Sequence, residues 1–107
     1  MKSYTIYLGL TTNKGVDLTD DGEYDKFIEL SESAHEILRD CGVDGCTIIP
    51  SVGWWNGDRE RGLTIYFSAD NLANSIDDIC LFLGREFQQD AVGYHESPEL
   101  TIINTDY

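Results

Sequence analysis

Five carboxylates, Asp25, Glu29, Glu32, Glu36 and Asp40, follow one another at intervals of four, three, four and four residues. On a helix this spacing gathers them into a sector of about 80° and a row about 22 Å long, with neighbours roughly 5–6 Å apart. Such a row does ionic rather than covalent chemistry. It presents negative charge at a pitch similar to that of phosphates along a nucleic-acid strand. Like charges so close weaken a helix by about 0.2–0.5 kcal/mol per pair, an effect that Lys26 and Arg39 partly offset. Asp17, Asp20, Asp21, Glu23 and Asp44 extend the acidic surface around the helix ends, so residues 17–44 are the most negative part of the chain. A solvated outer face and docking into a basic groove of another macromolecule both account for the row.

Other constellations fall short of a reaction. In DLTDDG (17–22), Asp17, Thr19 and Asp21 stand at positions 1, 3 and 5 of a calcium loop and Gly22 at position 6. Ile28 occupies position 12, where a bidentate Glu is required, so a plain acidic turn is the simpler expectation. His35 and His95 are the ordinary general bases; Ser97, two residues beyond His95, leaves a hydrolytic dyad as a minor alternative. Cys41, Cys46 and Cys80 do not combine with His35 at zinc spacing, and no glycine-rich phosphate loop precedes a helix. The three cysteines form an odd set without CxxC spacing and lie in or beside apolar patterns, as buried thiols do. No catalytic residue, metal site or cofactor is expected, and a non-enzymatic protein is favoured.

Twenty acidic against seven basic residues give a formal net charge of −13. A field of that sign repels polyanions and anionic lipid, which disfavours direct binding of nucleic acid or membrane and favours a basic partner. No apolar run approaches 18 residues and no basic segment leads into an apolar one, so neither a membrane span nor a signal peptide is expected and the location expected is cytoplasmic. A chain of 107 residues, 41% hydrophobic, fits one domain with a real core.

The elements that must position these groups follow from periodicity. SYTIYLGL (3–10) alternates as a half-buried strand and leads through a polar loop of about ten residues into a helix from about Glu23 to Cys41. There Tyr24, Phe27, Ile28, Leu30, Ala34, Ile37, Leu38 and Cys41 make the apolar stripe, and Gly42 ends it. CTIIPSV (46–52) and GLTIYFS (62–68) form a hairpin around Asn56-Gly57, with Pro50 marking an edge or a bulge. Ser68 or Asp70 caps a second helix carrying Leu72, Ile76, Ile79, Cys80, Leu83 and Phe87, which ends within 84–88. A short strand over 91–95, a turn at 96–98 and a last strand over 100–104 complete the chain. The order predicts an α+β, ferredoxin-like β-α-β-β-α-β sandwich with an extra C-terminal strand, two helices covering one face of an antiparallel sheet.

Side chains alternate along a strand, so the adjacent tryptophans must face opposite ways. Ile48, Val52 and Trp54 share a parity with the expected core, as do Leu63, Ile65 and Phe67. Tyr7, Ile49, Trp55 and Tyr66 then fall on the helix-free face, as a surface for a second copy or for a small ligand. A break in parity at Pro50 or in the turn would exchange the two tryptophans.

YTIYLGL, RGLTIYFS and DICLFLGREFQQDAVGYH together resemble small phage-encoded proteins of the ferredoxin-like kind, some of which act as anti-CRISPR or other anti-defence inhibitors. The resemblance spans the chain in its order of elements and carries over no functional residue. It implies a non-enzymatic acidic inhibitor that blocks a basic, nucleic-acid-handling protein in a bacterial cytoplasm. The expected contacts are Asp25, Glu29, Glu32, Glu36, Asp40, Asp20 and Asp21, with Tyr7, Ile49, Trp55 and Tyr66 as a homodimer or ligand face. A small-molecule-binding or oligomeric sensor domain using the aromatic face is the alternative.

Overall fold

The computed structural model describes residues 1–19 and 24–97, apart from the side chains of Tyr24 and Trp55. Asp20, Asp21 and the strand expected over 100–104 lie outside the described residues. The elements are β1 (Lys2–Gly9), α1 (Tyr24–Asp40), β2 (Thr47–Trp55), β3 (Asp58–Ala69), α2 (Ile76–Glu86) and β4 (Gly93–Ser97). Four strands pair antiparallel in the order β2-β3-β1-β4, and this order with two helices is the ferredoxin-like sandwich.

One core joins the layers. Tyr4, Ile6 and Leu8 of β1 and Leu63, Ile65 and Phe67 of β3 pack with Ala34 and Leu38 of α1 and with Ile79 and Leu83 of α2. Cys41 and Cys80 are buried in the same core, and Cys46 packs against it. Ile28, placed by periodicity in the α1 stripe, is exposed, because it flanks the stripe rather than centring it. Gly42 ends α1 in the left-handed region (φ 92°), and Val43 donates its N–H to the Leu38 carbonyl while burying its own side chain.

Three boundaries differ from expectation, each for a local reason. Ser75, not Ser68 or Asp70, caps α2: its hydroxyl accepts the Asp78 N–H at 3.2 Å. Ser68 is instead a strand residue whose hydroxyl bonds that of Ser3, and Asp70 pairs with the N-terminal ammonium, so Leu72 precedes the helix. β4 starts two residues later than expected and runs through Glu96 and Ser97, where a turn was expected, because β1 continues to pair with it as far as Ser3 and Lys2 bonds Glu96. The hairpin is longer at its tip, where Asn56 and Gly57 both take positive φ (51° and 86°), the two-residue turn that strands of normal twist prefer. Trp54 and Trp55 are therefore strand residues, and β2, with Pro50, is an edge strand as expected.

The core assignment of Val52 and Trp54 is overturned: they are 55% and 67% exposed. Their parity is that of the helix side, since Val52 pairs with Arg61, and Trp54 with Arg59, in the succession that continues Ile48–Ile65 and Pro50–Leu63. The hairpin runs past the part of the sheet that the helices cover, so the right face meets no cover there. Residues 11–19 fold back on themselves at that end of β1. Thr11 bridges Asp17, the Thr12 hydroxyl accepts the Val16 N–H, and Leu18 donates its N–H to the Leu10 carbonyl.

Candidate functional site

A cleft of about 820 Å³ lies between the distal half of the β2–β3 hairpin and the segment 89–95, with the end of β1 as its floor. The volume is within the range of about 300–1,000 Å³ usual for small-molecule sites. A glycine from each strand lines it: Gly9, Gly53, Gly62 and Gly93. The register puts all four on the helix-free side, where Gly9 opposes Gly62, Gly62 opposes Ser51 and Gly93 opposes Tyr7. Gly93 is open on that side, while Gly9 lies beneath the Glu60 and Gln89 side chains. Gly62 is also required by packing, since a Cβ on it would stand 2.6 Å from the Leu8 carbonyl oxygen.

Polar side chains cover Gly9 from two sides. A Cβ added to Gly9 would meet both Glu60 carboxylate oxygens at 2.6 and 2.7 Å and the Gln89 Oε1 at 2.7 Å. Glu60 accepts the Thr11 N–H at 3.3 Å, and Gln89 donates its amide Nε2 to the carbonyls of Thr11 and Phe87 at 2.8 and 3.0 Å. Arg61, next in sequence, faces the other way: its guanidinium bonds the Thr19 hydroxyl and lies 4.0 Å from Asp17. Asp17 in turn accepts from the Thr19 N–H and hydroxyl, which holds its carboxyl below the usual carboxylate range, with Arg61 adding to the effect. The acidic turn of 17–19 thus serves to seat Arg61.

Aromatic groups complete the rim. Tyr7 and His95 line the cleft on the helix-free side and meet edge to face at 5.6 Å between ring centres, whereas Trp54 and Tyr94 border it from strand positions whose side chains take the helix side. Tyr94 donates its hydroxyl to Asp77 of α2 at 2.9 Å, and this bond to a carboxylate pushes its pKa above the ordinary tyrosine value. His95 is thus a ring in an aromatic contact; its suggested partner Ser97 lies opposite Ser3.

The expected aromatic face is real in part. Tyr7, Ile49 and Tyr66 are exposed on the helix-free side, but of these only Tyr7 lines the cleft; the side chain of Trp55 lies outside the description. The expected acidic row is exposed along α1 at Asp25, Glu29, Glu32, Glu36 and Asp40, where Lys26 pairs with Glu29 at 3.6 Å. Gly9, Glu60, Gly62, Gln89 and Gly93 escaped sequence reasoning. Their signal was a set of glycines sharing one strand parity, legible only once the register is known.

No family model matches the chain, and no curated protein matches it. Among solved structures, the fold is similar to a phage SAM lyase in its apo state, with a TM-score of 0.61 at 16% identity over 90% of this chain and 78% of the other. The same phage lyase in complex with S-methyl-5′-thioadenosine gives a TM-score of 0.60 at 15% identity over 90% and 79%. A DUF3240 family protein from Shewanella baltica gives 0.56 at 8% identity over 97% and 96%. These likenesses concern the fold.

Proposed function

We propose that the chain is a binding domain for a small adenosyl compound, an S-adenosyl sulfonium or the corresponding thioether, held in the cleft between the hairpin and residues 89–95. The observation that carries it is the cleft itself: a space of about 820 Å³ with Tyr7 and His95 on its helix-free side, an open backbone at Gly93, and one carboxylate, Glu60, beside Gly9. Aromatic faces and a carboxylate suit a sulfonium cation, and the net charge of −13 draws such a cation in. The fold likeness to a phage SAM lyase solved with S-methyl-5′-thioadenosine supports the choice of ligand class. Isothermal titration of the full chain with S-adenosylmethionine and with S-methyl-5′-thioadenosine tests it. Saturable heat with either supports the proposal, and no heat with both at millimolar concentration rejects it. Chromatography of the recovered ligand from the same cell tells binding from turnover.

A second reading keeps the acidic helix as the working surface: a phage-encoded, non-enzymatic inhibitor that acts in the bacterial cytoplasm against a basic, nucleic-acid-handling complex, anti-CRISPR or otherwise anti-defence. It is favoured by one observation, that all five carboxylates of the α1 row are exposed. Tyr7, Ile49 and Tyr66, exposed on the open sheet face, would then serve a homodimer. Charge reversal at Glu29, Glu32 and Glu36 should abolish salt-sensitive capture of the partner and leave binding in the cleft unchanged.

A further inference from the structure

We infer that Gly93 seats the adenine ring of the ligand, laid on the open backbone of β4 beside Tyr7 and His95. The inference rests on the adenosyl reading of the cleft and names where the ring goes. A glycine in a paired strand weakens the strand, so its presence calls for a reason. Neither of the usual two applies. Among the described residues the glycines with left-handed backbone are Gly15, Gly42 and Gly57, whereas Gly93 pairs with Tyr7 as an ordinary strand residue. Packing does not require it either: a Cβ on Gly93 would meet no atom within 4 Å, in contrast to Gly9 and Gly62. What a side chain at this position would take up is space in the cleft.

The surroundings suit an uncharged planar ring. Tyr7 is the cross-strand neighbour best placed to lie over Gly93, yet its ring meets that of His95 edge to face and leaves the glycine bare. The seat thus has a peptide floor and two aromatic neighbours, one across the strand pair and one two residues along β4, at spacings that let a third ring pack against them. Thr64, beyond Tyr7 in the same row, and Thr5, opposite His95, add no formal charge. A planar ring uses bare peptide over its whole face, whereas a tetrahedral centre touches it at one point. The carboxylate that lines the cleft, Glu60, stands beside Gly9, two residues along β1 from Tyr7, or roughly 7 Å. A compound whose ring lies on Gly93 can therefore turn its sulfonium toward Glu60, so that its two ends meet different parts of the cleft.

The test uses the ¹⁵N-labelled full chain and four probes: S-adenosylmethionine, S-methyl-5′-thioadenosine, adenine as the ring alone, and 5-methylthioribose as the thioether without the ring. In the wild type the three adenine compounds are expected to shift the Gly93 and His95 amide signals, and 5-methylthioribose to leave them in place. Gly93→Val is expected to keep or raise the urea midpoint, because a β-branched residue suits an open strand position, and to weaken all three adenine compounds about tenfold or more. Gly93→Ala should weaken them less. A lower midpoint in Gly93→Val would assign the glycine to the fold and overturn the inference. Both adenosyl compounds bound alike by wild type and Gly93→Val removes the ring seat and leaves the adenosyl reading standing. Adenine bound at Gly93 in the wild type and lost in Gly93→Val, with neither adenosyl compound bound, upholds the seat and removes that reading. Silence with every probe removes both.

Discussion

The two halves of the β2–β3 hairpin carry the same alternation and do different work. Near the body, Leu63 and Ile65 are fully buried beneath the helices. Toward the tip, Val52 and Trp54 continue the same side of the ladder and are 55% and 67% exposed. Strand parity assigns a side chain to a face, but burial needs a second layer above that face. Where the helices stop, apolar and aromatic side chains are left over, and in this chain Val52 and Trp54 border a cleft.

Core truncation gives the widest contrast. Leu63→Ala or Ile65→Ala should cost about 2–5 kcal/mol in urea unfolding, because the freed space is enclosed, whereas Val52→Ala should stay within about 0.5 kcal/mol. Equal losses at the two ends would break the comparison.

A pH series sharpens it from the helix side. Burial pushes the Cys80 thiol up to about 11, with the nearby Asp77 charge adding to the effect. The folded chain therefore holds this proton after the unfolded chain has released its own near the ordinary value of 9.0. The contribution is complete below pH 9 and disappears as pH rises toward 11, a fall of about 2–3 kcal/mol at most. Unfolding of Cys80→Ala followed over that range should show a flatter dependence; an unchanged slope would mean that the thiol is not held dry by α2.

The smallest change in stability is expected at the tip. Trp54→Ala should leave the urea midpoint in place, because its side chain is 67% exposed on the part of the helix side that no helix covers. A lower midpoint would assign Trp54 to the fold instead.

Much of the architecture was legible from periodicity. The alternation of Tyr4, Ile6 and Leu8, the three-and-four spacing of Ala34, Leu38 and Cys41, and the Asn56-Gly57 turn each report local sterics, and the structure keeps all of them. The exposed carboxylates of α1 were legible for the same reason. Ser75 was harder to read as a cap, because its competitors Ser68 and Asp70 are excluded only by their bonds to Ser3 and to the N-terminus, both remote in sequence. The cleft was least legible. Gly9 and Gly62 meet across a ladder joining opposite ends of the first 70 residues, and Glu60 and Gln89 converge only through the turn around Thr11.

A crystal structure of the full chain grown with S-methyl-5′-thioadenosine tests the central claim most directly. The account expects the compound in the cleft between the hairpin and residues 89–95, its ring against Tyr7, with the carboxylates of α1 untouched. An empty cleft at saturating concentration, or the compound seated elsewhere on the molecule, would contradict it.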